Sequence, residues 1–180
     1  MGRVSAIASR TFDAIEAFPK PVIAAVNGIA VAEGLELILC CDLVYAAESA
    51  SIGDSHGNFG LVPGGGGSVR LARRVGVTLA KSLLFTGAPA RDFAGTGLLT
   101  EVVPDDDLVA EVDAMVGRLA LKSSVVLRLV KRLVNDGMDV AQEIALRMEM
   151  RECELHEQSL DIREGVTAFV EKRQPRFVGR

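Results

Sequence analysis

The spacing of hydrophobic and polar positions changes several times along the chain. Over residues 5–18, small, apolar and charged residues recur at helical spacing. Pro19 and Pro21 end that pattern, because the residue before a proline avoids the helical region. "VIAAV" (22–26) is a short apolar run between a proline and the turn signal Asn27-Gly28, which predicts a buried strand. "GLELILCC" (34–41) predicts a short buried helix, "DLVYAA" (42–47) a returning strand, and residues 50–53 another short one. Residues 67–75 and 77–85 read as helices separated by Gly76, and "TEVVP" (100–104) as a strand stopped by its proline. From Asp105 onward every segment has helical spacing: 106–121, 123–136, 140–158 and 161–173. An α/β portion, 1–104, is therefore followed by an all-helical portion, 105–180. The strand–helix–strand order of the first implies parallel pairing with right-handed crossovers. A buried strand at 22–26 needs neighbours, yet few candidates are present, so the sheet reads as incomplete on its N-terminal side.

Composition supports a packed core and narrows the partners. Of 180 residues, 49% are hydrophobic, and the mean hydropathy is +0.29. The 18 glycines beside a single Tyr and no Trp favour close-packed aliphatic elements with tight turns. A net charge of −4 gives no basis for binding nucleic acid or an anionic membrane. No apolar run approaches the about 20 residues that span a bilayer, and residues 1–10 contain no apolar core of a signal peptide. The expected location is the cytoplasm. Cys40, Cys41 and Cys153 match no metal spacing and are expected to be buried, reduced thiols. No metal site is expected.

Three features are candidates for chemistry. "GGGGSVRL" (64–71) has Ser68 but lacks the Lys of a phosphate loop, and no acidic residue follows at the place a dinucleotide fingerprint needs. Its glycines read as a scaffold turn into a helix, where backbone passes close to other backbone or to a ligand. Glu36 stands in the first turn of an otherwise apolar helix. It is either a partly exposed residue favoured by the helix dipole or a carboxylate placed for acid–base work beside unpaired backbone N–H groups. His56 follows a strand and is either a hydrogen-bonded loop histidine or a proton carrier. Ser55 and His56 are not a nucleophile–base pair on adjacency alone. His156, between Glu154 and Glu157, reads as part of a solvated helix face.

"KPVIAAVNGIAVAEGLELILCCDLVYAAESASIGD" (20–54) resembles the signature of the crotonase superfamily, the enoyl-CoA hydratases and isomerases. "FGLVPGGGGSVRLARRVG" (59–76), "LLFTG" (83–87), "GLLTEVVP" (97–104) and "EGVTAFVEKRQPRF" (164–177) are similar to its downstream landmarks, in order. The resemblance implies an α/β spiral of ββα turns, N-terminally incomplete here, with a C-terminal helical oligomerisation region that builds homotrimers or hexamers. It implies acyl-CoA thioester substrates whose thioester oxygen is held by two backbone N–H groups that stabilise an enolate. It implies no cofactor, coenzyme A being part of the substrate.

Carried over by position, Glu36 matches the family's first catalytic glutamate and His56 its second, whose usual context is Gly-x-Pro-Glu. The backbone N–H of Glu33 matches one oxyanion donor, at a position where the family has glycine. Gly34 lies beside it, at the substrate. Phe169 and Lys172 match a tail motif that, in relatives, lies near the CoA of a neighbouring subunit. A side chain at Glu33 either crowds the pocket or demands a backbone conformation that glycine tolerates better. The stretch between Gly87 and Gly97 is also shorter than usual. The implied function is enoyl-CoA hydration or isomerisation with Glu36 as general acid/base. The alternatives are thioester hydrolysis or C–C cleavage on the same scaffold, or an inactive truncated paralogue.

Overall fold

Asp42 shows how the chain turns back on itself. Its carboxylate accepts a hydrogen bond from Val22 N at 2.7 Å, which ties the start of one strand to the start of the next. A computed structural model of the chain describes residues 2–88, 93 and 95–180. The described residues form two compact units, residues 2–18 with 22–113 and residues 19–21 with 114–180.

The first unit opens with helix α1 (Gly2–Glu16), strands β1 (Ile23–Val26) and β2 (Ile29–Val31), and helix α2 (Glu33–Leu39). Next come β3 (Leu43–Ala47), β4 (Ser51–Gly53), a 3-10 turn at His56–Phe59, and helices α3 (Gly67–Val75) and α4 (Val77–Thr86). β5 (Glu101–Val103) and a second 3-10 turn, Asp105–Asp107, lead into α5 (Leu108–Ala120). The strands make two parallel sheets, ordered β1-β3-β5 and β2-β4. Val26 pairs with Ala46, Val31 with Gly53 and Ala47 with Val103. Each turn of the chain thus lays one strand in each sheet and then crosses by a helix, a spiral of ββα turns. The expected helix at 67–75 is observed with those bounds. β2 is a strand that its sequence does not announce. It is three residues long, and the Asn27-Gly28 turn signal hides it.

β3 is the central strand, so Val44, Tyr45, Ala46 and Ala47 are all buried. Leu35, Ile38 and Leu39 of α2, Ile52 of β4 and Leu71 of α3 complete this core. β1 departs from expectation. It is half-buried, with Ala25 exposed, because β3 is its sole partner among the described residues and its other edge faces outward. Gly66, whose φ of +94° suits glycine, stands at the cap position just before α3, and the helix's last-turn Arg74 donates to the carbonyls of Leu39 and Cys41 at the end of α2. Most of the short stretch between Gly87 and Gly97 lies outside the described residues.

The second unit holds α6 (Ser124–Gly137), α7 (Gln142–His156) and α8 (Leu160–Val170). Ser123 and Ser159 cap α6 and α8 by accepting from Val126 N and Ile162 N. α8 stops before the expected residue 173, because Lys172 takes a left-handed φ of 53° and the tail folds back along the helix. Asp161 accepts from Val178 N and Gly179 N and from the Ser123 hydroxyl, while Leu160 N and Asp161 N donate to Arg180 O. Glu164 takes Arg173 in a fork and also accepts from Arg176 N. That guanidinium fork holds the Glu164 carboxyl down at about 2. Two sequence expectations fail here. Cys153 is exposed rather than buried, since the outer face of α7 carries it. His156 is half-buried rather than solvated, and its Nδ1 is sealed with no hydrogen-bond partner among the described residues.

Candidate active site

The spacing that buries α2 also draws in its glutamate. Leu39 and Cys40 lie three and four residues after Glu36, on the same helix face, and all three are buried. Glu36 is 1% exposed, which overturns the reading of a dipole-favoured surface residue. A buried carboxylate needs donors. They come from the glycine loop: Gly65 N and Gly67 N donate to Oε1 at 2.7 and 2.8 Å. The glycines are also required by space. A Cβ on Gly65 would stand 2.3 Å from Phe12 Cε2 and 2.6 Å from Glu36 Oε2. One on Gly67 would stand 3.1 Å from Glu36 Oε1. The loop is thus the carboxylate's cradle as well as scaffold. Oε2 accepts no hydrogen bond from the described residues. One oxygen is fixed by two amides and the other is left without a donor among the described residues.

Arg70 braces this cradle. Its guanidinium donates to Gly65 O at 2.6 Å and to Glu16 and Asp13 of α1. The hydrogen bond to Glu16 raises its already high pKa further, so it is a permanent cation. Below the site, Cys40 Sγ donates to Glu36 O at 3.1 Å, and burial pushes that thiol up to about 11.

His56 opens the 3-10 turn at the end of β4 and is buried, as is Asp54 two residues earlier. Ser55 between them has φ +59°, which folds the chain so tightly that both groups of His56 meet one carboxylate. His56 Nδ1 lies 2.8 Å from Asp54 Oδ1, and His56 N donates to Oδ2 at 3.1 Å. The hydroxyl of Ser55 points away and donates to Gly87 O, which also receives Asn58 Nδ2. Sequence reasoning missed Asp54, Arg70 and Phe12. The signal for Asp54 was its spacing of two from His56, which matters only once Ser55 bends the chain.

The two candidate groups share one end of the β2–β4 sheet. β2 and β4 run parallel, Val31 opposite Gly53, and Ala32 N donates to Gly53 O and Asp54 O at 3.1 and 2.8 Å. Glu36 follows the end of β2 by five residues and His56 follows that of β4 by three. Glu33 is the first residue of α2, its side chain exposed, and its N–H has no partner among the described residues. The backbone strain expected at Glu33 falls on Ala32 instead, at φ 51° and ψ −118°. Gly34 follows in the first turn of α2, with Ala30 Cβ in ordinary contact at 3.7 Å from a built Cβ. Phe169 and Lys172 belong to the second unit, with Phe169 85% exposed on α8.

The model of the enoyl-CoA hydratase/isomerase family matches residues 4–180. The chain belongs to that family. It is 40% identical over 177 residues to a crotonyl-CoA hydratase of Syntrophomonas wolfei, covering 97% of this chain and 68% of that protein. It is 36% identical to a 2,3-dehydroadipyl-CoA hydratase of Escherichia coli, covering 92% of this chain and 66% of the other. The crystal structure of enoyl-CoA hydratase from Bacillus anthracis matches with a TM-score of 0.95 at 37% identity, over 99% of this chain and 70% of that one. The enoyl-CoA hydratase/isomerase fold is therefore present in a chain that spans about two thirds of such relatives' length.

Proposed function

We propose that this chain carries the acid–base half of an enoyl-CoA hydratase or isomerase site, with Glu36 as general acid/base and His56 as its partner. The observation that supports it is the state of Glu36: buried, one oxygen held by two loop amides, the other unbonded. Fixed geometry with one open oxygen is what proton transfer to a bound substrate requires. The N–H of Glu33 supplies one donor to the thioester oxygen, where an enolate develops, and Gly34 gives the thioester room. Substrates are acyl-CoA thioesters, and coenzyme A enters only with them. Phe169 and Lys172 of a neighbouring copy contact the CoA in a homotrimer or hexamer.

Hydration of crotonyl-CoA is the test. Glu36→Gln keeps a carbonyl oxygen for Gly65 N and Gly67 N but carries no exchangeable carboxyl proton. Turnover is expected to fall by about 10²–10⁴-fold, with the fold intact by circular dichroism. Equal turnover by both proteins would sink the assignment. A second reading, thioester hydrolysis, is favoured by the Asp54–His56 pair, an arrangement suited to activating water. Release of free CoA in place of a hydrated product selects it. A native chain that does neither above buffer supports the inactive-paralogue reading.

A further inference from the structure

Asp54 has no evident task in packing. It is a charged group 1% exposed, yet both its oxygens are spent on one residue, Oδ1 on His56 Nδ1 and Oδ2 on His56 N. An ionised carboxylate only accepts hydrogen bonds. The ring proton facing it must therefore sit on Nδ1, whether the imidazole is neutral or charged. That leaves Nε2 as the nitrogen that gains and loses a proton. Nε2 makes no hydrogen bond with the described residues, and the His56 side chain keeps 6% of its surface exposed.

We propose that Asp54 is a positioning residue: it fixes the His56 proton on Nδ1, so that Nε2 takes the proton of the reacting water. The proposal rests on the acyl-CoA reading above and deepens it. In hydration, the water O–H bond breaks as its oxygen bonds to the substrate β-carbon, and the proton passes to Nε2. The C=C electron pair moves onto the thioester oxygen as an enolate. The α-carbon then takes a proton from Glu36 Oε2, and the proton on Nε2 returns to Glu36 through water, restoring both groups. Asp54 balances the imidazolium charge while it exists.

Nitrogen-15 NMR of imidazole-labelled protein reads the tautomer directly. The chain has two histidines, so a His156→Gln background leaves one ring to observe. With the ring neutral, the native protein is expected to carry its proton on Nδ1. In Asp54→Asn the amide NH2 can donate to Nδ1, which moves the proton to Nε2. The kcat for crotonyl-CoA should then drop by about 10²–10⁴-fold, with KM within about threefold. Asp54→Glu, which keeps an acceptor, should retain the Nδ1 proton and more of the rate. A native ring protonated on Nε2 overturns the proposal. So does an Asp54→Asn protein whose tautomer moves while kcat stays within about threefold of native. If neither substitution folds, the native spectrum alone decides whether Asp54 controls the ring. Absence of native turnover overturns the acyl-CoA reading, and the spectrum still decides the role of Asp54.

Discussion

At the scale of single residues, the site turns on who can donate to a carboxylate. Gly65 N and Gly67 N point at Glu36 only because no Cβ stands in the way. Gly65→Ala would drive a methyl into the Phe12 ring and Glu36, with the φ of Gly65 itself unstrained. Expected is a loss of about 1–3 kcal/mol in urea unfolding, together with loss of turnover. Gly60→Ala is the contrast. That residue has φ +67° but open space around it, so a loss of about 1 kcal/mol from backbone strain is expected without the loss of turnover. If the two variants behave alike, the cradle is not steric. Glu36 and His56 could be picked out from the residue pattern and the family resemblance together. Asp54 could not, because its role depends on the left-handed turn at Ser55, a conformation that no serine signals. The glycine run was visible, but its partner carboxylate lies 29 residues away in sequence.

At the scale of elements, the helices and four of the five strands announced themselves, and β2 did not. α3 has a glycine at each end and a clear apolar face, so its limits were legible. β2 has three residues, too few for a period to establish itself, and it directly follows the Asn27-Gly28 turn signal, whereas β4 is as short but was read at 50–53. The clasp at the start of α8 was equally hidden, since it joins Ser123, Asp161 and Val178 across long separations. Burial pushes the Asp161 carboxyl up, but the Ser123 hydroxyl and the Val178 and Gly179 amides outweigh it, leaving it below its ordinary 3.8. A carboxyl lowered by folding stabilises the folded state above its unfolded value and loses that contribution as pH falls through the folded one. The second unit should therefore keep its full stability above about pH 4 and soften below it, by thermal melts followed through helix content. Asp161→Ala strands three donors, at about 1–3 kcal/mol for each that stays buried, and should flatten the acid dependence. An unchanged acid limb in that variant would show that other carboxylates control it.

At the scale of the molecule, apolar surface is exposed on both units, and on the helical unit part of it gathers on α8. Val166, Phe169 and Val170 of α8 are 61, 85 and 72% exposed, close together on one helix. Such a patch is what an assembly interface offers. Phe169→Asp is expected to lower the mass measured by light scattering, and an unchanged mass would remove this face from the interface.

The contrast between the cysteines has a practical consequence for handling the protein. Cys40 is sealed beside Glu36 and held as a thiol, Cys41 is buried next to it, and Cys153 is open on α7. Thiol-directed dyes react through the thiolate and need access to it. One equivalent of a maleimide fluorophore should couple to the folded chain and three to the unfolded one. The native sequence thus carries a ready-made labelling point, and the count of reacted sulfurs doubles as a gauge of whether the core beneath the glycine loop has opened.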